Sequence, residues 1–105
     1  MEAVKYFHSK NIVHRDLKLD NIMLMGNKDH PEQFHVKLID FGMSKKIQQG
    51  NKKINLNTYC GTIDFIAPEV FEGTNYDHRT DLWSCGVIAY CMLTGTTPFY
   101  GNSVE

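Results

Sequence analysis

The residues best suited to chemistry in this chain are three oxygen donors and a lysine. Asp16 and Asn21 flank Lys18 in the segment H-R-D-L-K-L-D-N at 14–21, and Asp40 opens the triplet D-F-G. A carboxylate can accept a proton, and carboxylate and amide oxygens are hard ligands of the kind that Mg²⁺ prefers. A lysine beside them can neutralise a phosphate. The same residue types also fit polar side chains that only cap loops.

The order of three short motifs bears on this choice. H-R-D-L-x-x-x-N at 14–21 precedes D-F-G at 40–42, which precedes A-P-E at 67–69. Any one triplet arises by chance in about one chain in a hundred of this length, whereas all three in this order do not. Together they resemble the catalytic half of the eukaryotic protein kinase signature. The resemblance runs from the first residues of the chain to the last.

This resemblance implies transfer of a phosphoryl group from ATP to protein hydroxyl groups. Asp16 matches the base of the catalytic loop, and Lys18 matches the residue that neutralises the γ-phosphate in serine/threonine kinases. Asn21 and Asp40 match the two Mg²⁺ ligands. Tyrosine kinases usually carry a different sequence here, so Lys18 favours a Ser/Thr substrate. ATP and Mg²⁺ are therefore the implied cofactors, and a protein carrying Ser or Thr is the implied partner.

Arg15 implies control through the loop that follows the D-F-G motif. In the family such an arginine pairs with a phosphorylated loop residue. Thr58 is the best candidate, because T-Y-C-G-T at 58–62 resembles the T-x-C-G-T arrangement in which the first threonine is modified. An upstream kinase that acts on Thr58 would then be a partner. An unmodified loop threonine is the alternative.

The residues after this threonine resemble a substrate-binding stretch. Thr62 matches a threonine that hydrogen-bonds the catalytic aspartate and lysine, here Asp16 and Lys18. Asp64 replaces the more frequent glutamate and keeps an acidic group that could attract a basic substrate residue. Phe65 replaces the more frequent tyrosine, so a hydroxyl is lost from that pocket. Thr62 and Asp64 are the predicted substrate-binding residues.

Six more residues match family positions that support the site without doing chemistry: His14, Phe41, Gly42, Glu69, Asp81 and Trp83. Three of them concern the D-F-G turn. His14 is expected to pack under Phe41, an apolar plug whose placement distinguishes active from inactive states. Gly42 supplies the backbone freedom for that switch.

The other three supporting residues lie later in the chain. Asp81 is expected to accept hydrogen bonds from the backbone around His14 and Arg15. Trp83 is expected to fill the core on the same helix. Glu69 normally pairs with an arginine far downstream in the family, so its carboxylate is expected to lack that partner within these 105 residues.

The hydrophobic pattern predicts short elements around these motifs. Apolar residues go almost all the way round the helix at 81–94, which is typical of a buried central helix. The polar stretch at 40–69 is typical of a functional loop. We therefore expect an α+β fold, mainly helical, with a short catalytic β-hairpin. The remaining predicted elements are a helix at 1–10, an extended pair at 12–13, strands at 21–24 and 36–39, and a short helix around 69–71.

Residues 1–105 are interpreted as a partial kinase domain with the catalytic loop, the activation segment and the central helix. No Gly-rich loop and no strand lysine precede the catalytic loop, so the small ATP-binding lobe is expected to be absent. One hypothesis is an active serine/threonine kinase of greater length. The other is a non-catalytic kinase-like fragment that acts as a binding or regulatory module. The isolated chain is expected to have negligible turnover.

Two kinase subgroups share the resemblance. D-F-G-M-S-K at 40–45 and W-S-C-G-V-I at 83–88 look most like the calcium/calmodulin-dependent group, including the calcium-dependent kinases. L-K-L-D-N at 17–21 and the segment 58–62 look more like the group with the cyclic-nucleotide and lipid-regulated kinases. The first group is preferred.

Composition narrows the partners and the compartment. A net charge of −1 gives no basic face for nucleic acid and no polybasic run for a membrane. The apolar run at 87–93 is far too short to span a bilayer, and no signal peptide is apparent. The spacing of the three cysteines matches no metal-binding motif, and they are interpreted as free thiols in a reducing compartment. The expected location is the cytoplasm, with the nucleus as a second possibility.

Overall fold

The computed structural model describes residues 1–47, 61–72 and 76–99. Within these ranges the chain is an α+β structure, as expected, with helices α1 (Glu2–Ser9), α2 (Pro68–Phe71) and α3 (Arg79–Thr94). Its strands are β1 (Ile12–Val13), β2 (Ile22–Met25), β3 (His35–Leu38) and β4 (Lys45–Lys46). Single 3₁₀ turns lie at Leu19–Asn21, Pro31–Gln33 and Ile63–Phe65.

Helix α1 buries one face and ends as its sequence predicts. Val4 and Phe7 are buried, three positions apart on that face. Beyond the last turn, Asn11 adopts φ 58, a left-handed conformation that asparagine tolerates better than most residues. The chain then reverses into β1 and delivers the catalytic loop, residues 14–21, to the end of α1.

The β2–β3 hairpin is present as an antiparallel pair. Ile22 faces Leu38 and Met25 faces His35, so each strand is shifted by one residue from its predicted bounds. The Ile39 N–H donates to the Asn21 carbonyl at 2.9 Å, which continues the pairing past the strand ends. This contact brings the end of the catalytic loop next to the D-F-G turn.

A second pair, β1 with β4, was not predicted. Ile12 faces Lys46 and Val13 faces Lys45. A strand of two residues is too short to show alternating hydrophobicity. For this reason β4 was included in the predicted loop at 40–69. The pairing holds the chain after the D-F-G turn against the entry of the catalytic loop.

Helix α3 ends as predicted at Gly95, which adopts φ 75, but begins two residues earlier than predicted, at Arg79. The missed signal is Asp77, whose Oδ1 accepts the Arg79 N–H at 2.8 Å just before the helix. The short helix α2 ends at Phe71, before residues outside the described ranges.

The prediction that α3 is buried all round is wrong for the described residues. One face is buried and carries Asp81, Ser84, Val87, Ile88 and Cys91. The opposite face is open: Trp83 is 37% exposed and Leu93 is 86% exposed. Trp83 fills no core and instead stacks on Phe99 at 5.5 Å.

The main hydrophobic cluster lies between α1, the catalytic loop and α3. It contains Val4, Phe7, Leu17, Phe65, Val87, Ile88 and Cys91. Cys85 and Cys91 are free thiols, while Cys60 lies outside the described residues. The cluster supports the catalytic loop through Leu17.

Among the described helices, none has the length and apolar character needed to cross a membrane.

Candidate active site

Asp16 lies at the centre of a hydrogen-bonded cluster. Its Oδ1 accepts the Thr62 N–H at 3.2 Å and lies 3.4 Å from Thr62 Oγ1. The Asn21 Nδ2 donates to the Asp16 carbonyl oxygen at 2.8 Å and lies 3.3 Å from Oδ2. Both carboxylate oxygens are thus oriented, and the half-buried side chain is fixed before any substrate binds.

Lys18 links the other members of the cluster. Its Nζ donates to Thr62 Oγ1 at 2.9 Å and lies 3.6 Å from Asp16 Oδ2. The contacts predicted for Thr62 with the aspartate and the lysine are therefore present. They connect positions more than forty residues apart in sequence.

Asp40 stands beside Asn21 because the hairpin ends there. It adopts φ 60, a left-handed conformation that costs of order 1–3 kcal/mol for a residue with a Cβ. The Gly42 N–H donates to Asp40 Oδ1 at 3.0 Å. Asp40 is exposed to solvent and keeps its other oxygen for a ligand.

Asn21 and Asp40 fit a magnesium site in which phosphates and water supply most of the ligands. In the described ranges, no group of three His, Cys, Asp or Glu side chains could hold a metal ion. Mg²⁺ commonly takes one or two protein oxygens and completes its shell with phosphates and water. Asn21 engages its amide nitrogen with Asp16, which leaves its Oδ1 as a donor together with the second oxygen of Asp40. The donor set is suited to a metal–nucleotide complex.

His14 forms the floor under the D-F-G turn. It is 0% exposed, and its ring lies 4.7 Å from the ring of Phe41, as predicted. Phe41 also meets Phe7 edge-on at 5.9 Å but remains 44% exposed, so the plug is only partly buried. The Asp16 N–H donates to His14 Nδ1 at 3.3 Å. A ring that accepts at Nδ1 carries its proton at Nε2 and is neutral.

Asp81 joins α3 to the catalytic loop as expected. It is 1% exposed, its Oδ2 accepts the His14 N–H at 3.0 Å, and its Oδ1 accepts the Arg15 N–H at 2.9 Å. Arg15 adopts φ 70, a second strained conformation in this region. The Asp81 carboxylate offsets that strain because it binds both neighbouring amides.

Arg15 extends from the site toward the segment after the D-F-G turn. Its Nε donates to the Met43 carbonyl, and its Nη1 is buried with no partner among the described residues. Thr58, the predicted phosphorylation site, lies outside the described residues. Gly61 passes so close that a Cβ there would lie 2.8 Å from the Arg15 carbonyl oxygen, at φ 113. Only glycine fits at this position.

Two predicted residues lie at the edge of the site. Asp64 is exposed in the 3₁₀ turn that follows Thr62, where a substrate could reach it. Glu69 lies half-buried in α2. Its carboxylate is not isolated, because its charge adds in a minor way to the effect of Asp77 in raising the pKa of Arg79. The absence of the family's downstream arginine stays a prediction.

Comparison with known proteins agrees with this arrangement. The protein kinase domain profile matches residues 1–105. The chain belongs to the protein kinase family. Myosin light chain kinase A of Dictyostelium discoideum is 47% identical over 104 residues, which are 99% of this chain and 33% of that protein. Serine/threonine-protein kinase 33 of Bos taurus is 42% identical over 106 residues, covering 98% of this chain and 22% of the relative.

The kinase subgroup is only loosely indicated. A cGMP-dependent protein kinase of Drosophila melanogaster is 45% identical over 102 residues, which are 97% of this chain and 10% of the relative. That value is close to the 47% for the myosin light chain kinase, so identity alone does not separate the two subgroups. The kinase chain spans a third or less of the length of these relatives.

Sequence reasoning missed one residue of this kinase site. His8 Nε2 lies 2.7 Å from Asp81 Oδ2, across 73 positions of sequence. The histidine stands at the end of an amphipathic helix and belongs to none of the three motifs. No spacing signal links it to Asp81, because α1 and α3 meet only through the tertiary structure.

The protonation of His14 makes the stability of this kinase region depend on pH. Burial lowers the pKa of His14 below its ordinary value of 6.5, although Asp81, the Ile39 backbone, Asp16 and Asp40 oppose the shift. Below pH 6.5 His14 is protonated in the unfolded chain but stays neutral in the folded protein until the pH is lower. The free energy of unfolding therefore falls as pH decreases. The loss is at most about 1.4 kcal/mol per pH unit.

Urea unfolding of the full-length protein at pH 7.5 and 5.5 measures this dependence. Replacing His14 with phenylalanine should weaken the pH dependence of the unfolding free energy. The control change His35→Gln, at an exposed position, should leave that dependence as it is in the wild type. Equal pH dependence in the wild type and the His14→Phe variant would contradict the assignment.

Proposed function

We propose that this chain forms part of the phosphotransfer site of an ATP-dependent protein serine/threonine kinase. The observation that carries the proposal is the Asp16–Lys18–Thr62 cluster, in which a carboxylate and an ammonium group meet at one hydroxyl. Family membership supports the same chemistry. The activity belongs to the full-length protein.

Asp16 is the proposed acceptor for the substrate proton. In the reaction a Ser or Thr oxygen forms a bond to the γ-phosphorus of ATP, the bond from that phosphorus to ADP breaks, and the hydroxyl proton leaves. An ionised carboxylate can orient the hydroxyl and take this proton. The hydrogen bonds from Thr62 hold Oδ1 in place, so the group needs little reorganisation when it reacts.

Lys18 is the proposed partner of the γ-phosphate. Its ammonium group is held between Thr62 Oγ1 and Asp16 Oδ2. Phosphoryl transfer spreads negative charge over the phosphate oxygens, and a fixed cation stabilises that charge most in the transition state. Lys18 also offsets the charge of Asp16 while no substrate is bound.

Asn21 and Asp40 are the proposed magnesium ligands. Bound Mg²⁺ would neutralise and align the phosphates of ATP. The protein would contribute one amide and one carboxylate oxygen, and the backbone hydrogen bond from Ile39 to Asn21, next to Asp40 in the chain, supports this pairing.

The remaining assignments concern substrate binding and control. Thr62 and Asp64 are proposed to face the protein substrate, with Asp64 favouring a basic residue. Arg15 is proposed to bind Thr58 after an upstream kinase has phosphorylated it, since phosphate gives bidentate contacts with arginine. A cytoplasmic location, with the nucleus as the second possibility, is proposed from the cysteine usage.

Peptide phosphorylation tests the proposed function directly. The full-length protein is given ATP, Mg²⁺ and two peptides that are identical except for Ser or Tyr at the acceptor position. We expect transfer to the Ser peptide at least about tenfold faster, because Lys18 and Thr62 contact each other and Asp16 in the arrangement expected of serine/threonine kinases. Transfer is measured as phosphopeptide by mass spectrometry.

Two variants provide controls for the magnesium assignment. Asp40→Asn should raise the Mg²⁺ concentration for half-maximal rate by about tenfold or more. Asp29→Asn, an exposed change in the β2–β3 turn, should leave it unchanged. Faster transfer to the Tyr peptide would contradict the serine/threonine assignment. No transfer to either peptide by a folded protein would favour the non-catalytic binding or regulatory module.

A further inference from the structure

Asp81 has a third partner that the phosphotransfer reaction does not itself require. His8 Nε2 lies 2.7 Å from Asp81 Oδ2, the same oxygen that accepts the His14 N–H. The two side chains are 13% and 1% exposed, so water competes little for this contact. A carboxylate only accepts, so the hydrogen of this bond is on His8 Nε2.

The His8 ring is held in one orientation by its neighbours. Phe7 meets it edge-on at 4.8 Å, and His78 lies 5.0 Å away in a similar T-shaped contact. Such edge-to-face pairs favour a fixed angle between the rings. The His8 donor is therefore aimed at Asp81 by packing within α1 and by the residue that precedes α3.

The orientation of Asp81 determines the geometry of the catalytic loop. The terminal torsion of an aspartate is broad, so its two oxygens need fixed donors to hold one plane. Oδ1 binds the amide of Arg15, whose φ of 70 relaxes unless it is restrained. Arg15 directly precedes Asp16. Rotation of the Asp81 carboxylate would thus be transmitted to Asp16 through one strained residue.

We propose that His8 is a positioning residue for the catalytic loop, acting through Asp81. The proposal rests on the proposed phosphotransfer function as far as turnover is concerned. His8 fixes the plane of the Asp81 carboxylate, Asp81 fixes the amides of His14 and Arg15, and these fix Asp16. His8 touches neither substrate nor nucleotide.

A pair of substitutions in the full-length protein separates positioning from packing. His8→Leu keeps bulk and removes the donor, whereas His8→Gln keeps a donor near the position of Nε2. We expect His8→Leu to lower kcat by about 10–100-fold with the KM for ATP unchanged, because a small misplacement of a reacting group is costly. His8→Gln should keep at least about half of the wild-type kcat. The control variant His35→Leu, on the β2–β3 hairpin, should keep the full wild-type kcat.

Chemical rescue gives a second readout that a packing defect would not produce. A groove of about 400 Å³ opens beside His8, lined also by His78, Leu82 and the start of α1. His8→Gly would connect the vacated space to this groove, so added imidazole could restore the donor. We expect imidazole to raise kcat of His8→Gly at least about fivefold, and to leave the His8→Gly, Asp81→Asn double variant unchanged.

Amide hydrogen exchange at His14 and Arg15 tests the contact without turnover. We expect at least about tenfold faster exchange in His8→Leu and near-wild-type protection in His8→Gln. Wild-type exchange in His8→Leu would overturn the proposal, whether or not the protein is a kinase. With an active wild type, equal kcat in His8→Leu and His8→Gln would also overturn it. Should His8→Gly fail to fold, the Leu and Gln pair decides. If the wild type transferred no phosphate but the exchange difference were still observed, the proposed kinase function would be contradicted and the role of His8 would stand.

Discussion

Replacing Asp16 with asparagine is expected to lower kcat for peptide phosphorylation by about 10²–10⁴-fold. The amide has nearly the same shape, and its oxygen can still accept from the Thr62 backbone N–H, as Oδ1 does now. It cannot accept a proton, and it no longer offsets the charge of Lys18. The loss should therefore fall on kcat, with the KM for ATP little changed. Steady-state kinetics with a Ser peptide measure both constants.

The matched control is Asp20→Asn, four residues further along the same loop. Asp20 is exposed in the 3₁₀ turn and contacts none of the cluster residues by a hydrogen bond among the described residues. Its kcat should remain within about twofold of wild type. An Asp16→Asn enzyme that kept the wild-type rate would remove the proton acceptor from the proposed mechanism, however well the rest of the site is formed.

Replacing Asp81 with asparagine is expected to destabilise the fold by roughly 2–4 kcal/mol. Both carboxylate oxygens are used: Oδ1 binds the Arg15 amide, and Oδ2 binds the His14 amide and His8. The asparagine NH₂ group would face at least one of these donors in a site that is 1% exposed. A buried donor without an acceptor is costly, and the lost hydrogen bonds were to a charged group. Urea unfolding of the full-length protein measures the change.

Asp77→Asn is the control for this second prediction. Asp77 precedes α3 and pairs with Arg79 at 3.0 Å, but the arginine is 74% exposed. An ion pair with such an exposed partner contributes little, because water and salt screen it, and asparagine keeps the oxygen that accepts the Arg79 N–H. If the two variants were destabilised equally, the special weight given to the buried Asp81 network would be wrong. A kcat loss in Asp81→Asn under conditions where it is folded would further link the network to Asp16.

The local features of the site were predictable because each depends on neighbours in sequence. The β2–β3 hairpin follows from two apolar runs with a polar turn between them, and its strands were misplaced by only one residue. The helix end at Gly95 follows from the left-handed conformation that glycine adopts freely. The contact of Thr62 with Asp16 and Lys18 was predicted through the family resemblance, not from the spacing of those residues.

The errors share a different cause. Apolar residues around α3 indicate a helix that could be buried on all sides, but they do not say which faces have neighbours. In the described residues the face with Trp83 and Leu93 is exposed. The charge of Glu69 acts on Arg79 of α3, an interaction that the family resemblance did not suggest. Both depend on which segments meet in space.

The sequence by itself determined the kinase family, the residues that meet in the Asp16–Lys18–Thr62 cluster and the approximate bounds of most helices and strands. These depend on residue type, short spacings and local backbone preference. The tertiary structure alone decided that His8 completes the Asp81 network, that β4 pairs with β1 and that one face of α3 is open. Such contacts join segments far apart in the chain. Their energy comes from mutual packing and hydrogen bonding, which no single segment encodes.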